Sequence, residues 1–126
     1  MEEIKSNSLP TMECGMAYLA HPYASAFPDI NAFNLMDAGN IAFKIMRKYP
    51  NLTIISPLHA YSFLEGKELK ETEILKYDFR LLSRCDMLIL SGKWRNSNGC
   101  MAEYGYAKAK GIRIYEYRDG LLYPLE

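Results

Sequence analysis

Cysteine is scarce in this sequence. Cys14, Cys85 and Cys100 are the only three, an odd count with no close pairing and no metal-ligand spacing to His21 or His59. That argues against a disulfide scaffold or a zinc site, and reduced thiols in a cytoplasmic setting are the expectation. Net charge is missing as well: fifteen Lys and Arg balance fifteen Asp and Glu, so no global positive field gathers nucleic acid or an anionic membrane around the chain. Long apolar runs are also lacking. Stretches such as Met87-Leu88-Ile89-Leu90 have strand length, against roughly 20 residues for a membrane span, and no signal-peptide pattern opens the chain. A small-molecule ligand, bound without metal or cofactor, fits this profile.

What is present is a chain of 126 residues, 49% of them apolar, enough for one domain with its own core. Residues 1–13 mix charge, Ser, Asn and Pro without periodicity and read as a loose arm, leaving 14–126 as the domain. Met16-Ala17-Tyr18-Leu19-Ala20, bounded by Gly15 and His21-Pro22, has the continuous apolar character of a strand buried on both faces. After Pro28, Leu35, Ala38, Ile41, Ala42, Ile45 and Met46 fall at helical spacing, with a stop at Lys48-Tyr49-Pro50. Leu52–Ile55 is a second strand. Residues 58–69 form an irregular excursion of the length that often carries function. A second amphipathic helix spans about Lys70 to Arg84, Met87–Leu90 is a third strand, Asn98–Lys110 a third helix ending at Gly111, and Ile112–Tyr117 a fourth strand. Alternating strand and helix implies right-handed crossovers and a parallel sheet of four to five strands in a flavodoxin-like or Rossmann-like α/β three-layer sandwich. Ligands of such folds sit at the carboxyl ends of the strands, here the loops after Ala20, Ile55 and Leu90.

Two carboxylates lie on apolar stripes. In the third helix Cys100, Glu103, Tyr104 and Ala107 share one face; in the second, Asp78 shares a face with Ile74, Leu81, Leu82 and Cys85. Carboxylates are rarely buried unless paired or used. Asp78 lies eight residues before Asp86, so it stands roughly 12 Å up the layer from the start of the third strand, near the height of Glu103. Either the two share one pocket, or each reaches the rim to meet a Lys or Arg. Ser97-Asn98-Gly99 precedes the same helix, either as a cap or as a seat for an anion on free N–H groups and the positive dipole end.

Tyr18-Leu19-Ala20-His21-Pro22, Asp78 with its spacing to Asp86, and the run from Ser97 through Glu103 to Ala107 together resemble the nucleoside 2-deoxyribosyltransferase superfamily. The resemblance covers about residues 16–117 and includes the 2′-deoxynucleoside 5′-phosphate N-hydrolases; Gly92-Lys93-Trp94-Arg95-Asn96-Ser97 looks closest to small uncharacterised relatives. It implies that Glu103 attacks the anomeric carbon, that Asp78 assists at the base, and that Tyr18 hydrogen-bonds the catalytic carboxylate. It also implies a homodimer or larger homo-oligomer whose neighbour completes the pocket, in line with apolar surplus at Tyr104, Tyr106 and Tyr123. Ser97, where nucleoside-using transferases tend to be acidic, points to 5′-monophosphates. The first-strand loop His21-Pro22-Tyr23-Ala24-Ser25 lacks the Arg of the hydrolase branch; Lys93, Arg95 or Arg118 of a neighbour are candidate replacements.

The expected activity is cleavage of the N-glycosidic bond of a (deoxy)nucleoside 5′-monophosphate, with base exchange between deoxynucleosides or non-catalytic nucleotide sensing as alternatives. His21, Pro22 and His59 stand at loop positions suited to base contact, Tyr23 and Trp94 can stack on a base, and Asp86 is structural. A rival reading makes Cys100 a thiol nucleophile with a pKa lowered by the helix N-terminus. A flavin-binding electron carrier is disfavoured, since two inward carboxylates repel an anionic flavin.

Overall fold

Apolar character on both sides of a strand requires a covered sheet, and the chain builds one. A computed structural model describes residues 15–23 and 27–125; the expected N-terminal arm lies outside them. The elements run β1 (Gly15–Ala20), α1 (Pro28–Lys48), β2 (Leu52–Ile55), α2 (Pro57–Ala60), α3 (Glu71–Leu82), β3 (Met87–Leu90), α4 (Asn98–Lys110), β4 (Arg113–Arg118) and β5 (Leu121–Pro124), with 3-10 turns at Ser62–Leu64 and Trp94–Asn96. The strands join in the order β2-β1-β3-β4-β5. β1, β2, β3 and β4 are parallel, and the architecture is mixed α/β, consistent with a Rossmann-like fold. No helix among the described residues is long and apolar enough to cross a membrane.

Side chains on the two central strands alternate between two cores. Ala17, Leu19, Met87 and Ile89 pack with Ile41 and Ile45 of α1. Tyr18, Ala20, Leu88 and Leu90 pack with Leu82 of α3, and with Cys100 and Ala107 of α4. The period of two in a strand therefore sends Tyr18 toward the carboxylate-bearing helices and its neighbours toward α1. At the amino end of the sheet, Asp86 Oδ2 accepts from the Met16 N–H at 2.8 Å, the structural role expected of it.

One strand departs from the expected parallel sheet. β5 returns antiparallel to β4, pairing Arg118 with Leu121 and Glu116 with Tyr123. Its cause is local: Asp119 and Gly120 both take positive φ, 51° and 84°, the backbone of a tight hairpin turn whose twist suits two antiparallel strands. The tyrosines that read as surplus are occupied within the chain. Tyr106 stacks on Phe79 with ring centroids 4.6 Å apart, Tyr104 packs on Trp94, and Arg118 covers the Tyr123 ring.

Two glycines should respond oppositely to alanine. Gly120→Ala places a Cβ in the left-handed region and is expected to cost about 1 kcal/mol. Gly105→Ala lies mid-helix in α4 with open space where its Cβ would stand and should add about 1 kcal/mol. Denaturant midpoints of the two variants check both signs.

Candidate active site

Three elements bring the predicted carboxylates to one place. α4 follows β3 through the 3-10 turn at Trp94–Asn96, and Ser97 caps it, its Oγ accepting from the Cys100 N–H at 3.2 Å. Glu103 then falls one turn in, on the buried side with Cys100 and Ala107. Asp78 projects from α3, and Tyr18 rises from the face of β1 that both helices cover. Asp78, Glu103 and the Ser97-Asn98-Gly99 loop all line one cavity of about 680 Å³, a usual volume for a small-molecule site. The sharing of one pocket by Asp78 and Glu103 is thus observed.

Glu103 is 6% exposed. Burial raises its carboxyl to about 8, opposed by the hydrogen bond from Tyr18 and reinforced by the nearby charge of Asp78. Burial likewise raises Asp78 to about 6. The Tyr18 hydroxyl, wholly buried, donates to Glu103 Oε2. Desolvation, then the two carboxylates, push this phenol well above its ordinary range, so it stays a donor. The result is a coupled acid pair that carries one proton between about pH 6 and 8, with a fixed donor on one member.

Residues after β1 supply another wall. His21, Pro22 and Tyr23 line the cavity. His21 is held by two contacts, Nδ1 to the Pro22 carbonyl and Nε2 to Asp37 Oδ2 of α1, each 2.8 Å. The carbonyl only accepts, so Nδ1 donates to it. Tyr23 reaches across the rim and donates to Glu65. Leu35 of α1 and Leu58, Leu64, Ile74 and Leu75 give the cavity its apolar side.

Two predicted contacts lie elsewhere. Trp94 is buried outside the cavity, its Nε1 donating to Glu116 Oε2 at 2.9 Å, with Arg95 over its ring. His59 is exposed, bonded through Nδ1 to Ser56 Oγ at 2.7 Å and packed over Gly39. A position just after a strand did not determine which way these rings turn. Arg95 and Arg118 both engage Glu116, at 2.9 and 3.3 Å, and neither they nor Lys93 line the cavity.

Cys100 overturns the thiolate reading. Burial, then the charge of Glu103, pushes its thiol up to about 12 against the help of Ser97; at neutral pH it is an inert neutral thiol. Residues that sequence reasoning missed come from the irregular excursion: Tyr61, Glu65 and Lys67 line the cavity, and Lys67 brings a cation to its rim. Their only sequence signal was the length of a segment without periodicity. Among the described residues, no group of three or more His, Cys, Asp or Glu side chains is placed to hold a metal ion.

Comparison with known proteins gives one finding. No curated protein and no solved structure matches the chain. A family model described as a domain of unknown function, DUF4406, matches residues 46–116, more than half the chain and a span that contains Asp78, Ser97 and Glu103. On that match, the chain belongs to the DUF4406 family.

Proposed function

We propose that this protein cleaves the N-glycosidic bond of a (deoxy)nucleoside 5′-monophosphate, in the manner of the nucleoside 2-deoxyribosyltransferase-like superfamily. The supporting observation is the buried Glu103, held by Tyr18 and facing the same cavity as Asp78. The strand order and the helices on both sheet faces agree with the flavodoxin-like form of that superfamily.

In this reading a Glu103 oxygen attacks the anomeric carbon as the bond from that carbon to the base nitrogen breaks. The electron pair of that bond leaves with the base, which takes a proton from Asp78. A glycosyl ester on Glu103 remains. Water, losing its proton to Asp78, then attacks the anomeric carbon, and the ester bond breaks to return the Glu103 carboxylate. Before substrate binds, the more deeply buried Glu103 holds the shared proton. Positive charge gathering on the sugar beside Glu103 favours its ionised form, as does the Tyr18 hydrogen bond, so the proton moves to Asp78 as the reaction proceeds. The N–H groups opening α4, the Ser97 hydroxyl and Lys67 are the cavity groups suited to the 5′-phosphate.

A panel of nucleosides and 5′-monophosphates, with and without a second free base, tests the proposal by chromatography of released and exchanged bases. Base release into water is the expected result, and exchange without hydrolysis would select the transferase. Binding with no turnover would select a sensor.

Glu103→Gln should reduce base release by several orders of magnitude, because the amide is nearly isosteric yet cannot form the ester. It should also stabilise the fold at high pH. The unfolded Glu ionises near 4.5 and the folded one near 8, so across that window the native state binds more protons and wild-type stability falls as pH rises. Melting temperatures should show a gain for Glu103→Gln at pH 8 that disappears near pH 4, which separates lost chemistry from lost folding.

Activity of the wild type should be bell-shaped in pH. With Asp78 raised to about 6 and Glu103 to about 8, kcat/KM falls below the first value as a second proton blocks the nucleophile. It falls above the second as the last proton leaves. A flat profile from pH 5 to 9 would remove the pair from the reaction.

Ser97→Asp probes the phosphate seat. Aspartate caps a helix as well as serine, so α4 should persist while a charge enters the anion position. A loss of roughly tenfold or more in kcat/KM for nucleotides, with little change for nucleosides, is expected. An unchanged ratio between the two substrates would leave Ser97 as a cap alone.

A further inference from the structure

The helix that walls the site on its sheet side is also apolar on its far side. Ala38, Ile41 and Ile45 bury the inner face of α1, yet Phe33, Met36 and Phe43 on the outer face are 56%, 60% and 61% exposed. Large apolar side chains clustered on both the inner and the outer side of one helix are ordinarily covered on both. Along this outer side Asp29, Phe33, Met36, Asn40, Phe43 and Arg47 are exposed at spacings of four, three, four, three and four, with Ala32 and Lys44 exposed on their two flanks. That alternation is the seam of two packed helices.

We propose that α1 is the interface with a second copy of this chain, the two helices packing antiparallel about a two-fold axis level with Ala38. The seam reads the same from either end in this arrangement. Asp29 meets the partner's Arg47, Phe33 meets the partner's Phe43, and Met36 lies beside the partner's Asn40. Charge supports the direction, since α1 is acidic in its first turn and basic in its last. A parallel pairing would set Asp29 against its own copy and Arg47 against its own. Arg47 already lies over the Phe43 ring, 5.6 Å from its centroid, between the apolar seam and its end.

Area supports the occupant. Phe33, Met36 and Phe43 with the flanking Ile30 and Met46 leave roughly 500 Å² of large apolar side chain in water. That lies in the upper range for the largest patch of a monomer and supplies most of the roughly 800 Å² that each partner of a stable complex covers. Asn40 is the polar position that such seams use to set register and partner number.

Sedimentation velocity of the full chain at micromolar concentrations tests this. A dimer is expected for the wild type, and Phe43→Glu, which places two carboxylates in the seam, should weaken it at least tenfold. Asp29→Arg and Arg47→Asp should each weaken the dimer, and the double exchange should restore it, because only the antiparallel register pairs these two positions. All three sites are exposed, so circular dichroism should be unchanged in every variant. A monomeric wild type, or a dimer untouched by Phe43→Glu, overturns the interface. Singles that weaken association without rescue in the double overturn the register.

Discussion

The structure turns on keeping one carboxyl group out of water. Glu103 is buried, and removing a charge of that kind from solvent costs several kcal/mol. Its surroundings lower that cost only in part, since the nearby charge of Asp78 adds to it. Tyr18 donates to it, and the group itself responds by holding its proton to about pH 8. A fold optimised for stability alone would place leucine there. In the proposed reaction this group would be held protonated until a positive centre on the sugar favours its ionised form.

The central strands divide this work by simple alternation. The same β1 that sends Ala17 and Leu19 into the α1 core sends Tyr18 and Ala20 to the opposite side. Position 18 is thus fixed twice over, by the pleat and by the pairing of Tyr18 with Leu88 and Ile55 on either side. A slip of one residue would exchange the two faces and strand the phenol in the wrong core. The Asp86 carboxylate on the Met16 N–H pins that register at the amino end of the sheet.

Most elements were legible because their physical cause is local. Met87–Leu90 and Leu52–Ile55 are apolar runs too short for helices, and the inward stripe of α4 could be read from Cys100, Glu103 and Ala107. β5 was not read, although Asp119-Gly120 is a hairpin turn pair, because the short Leu121–Pro124 run contains a proline and lies beside a stronger strand. Trp94 went elsewhere because its direction depends on Glu116, a partner on β4 set by tertiary packing, while His59 is turned away by its near neighbour Ser56. Lys67 and Glu65 reach the cavity from a segment with no period. The inner stripe of α1 was legible from Ala38, Ile41 and Ile45, whereas the exposure of Phe33, Met36 and Phe43 on its outer side depends on what packs there and leaves no mark in the spacing.

Trp94 is the sole tryptophan, and its position gives the protein a built-in optical probe. The residue is 3% exposed, with the Tyr104 ring tilted against it and the Arg95 guanidinium over its ring, on the 3-10 turn that leads directly into Ser97. All indole fluorescence therefore originates three residues from the helix cap at the cavity mouth. Emission will report the local environment of that turn rather than an average over the chain, so a shift on adding a ligand signals movement there even when no bond is cleaved.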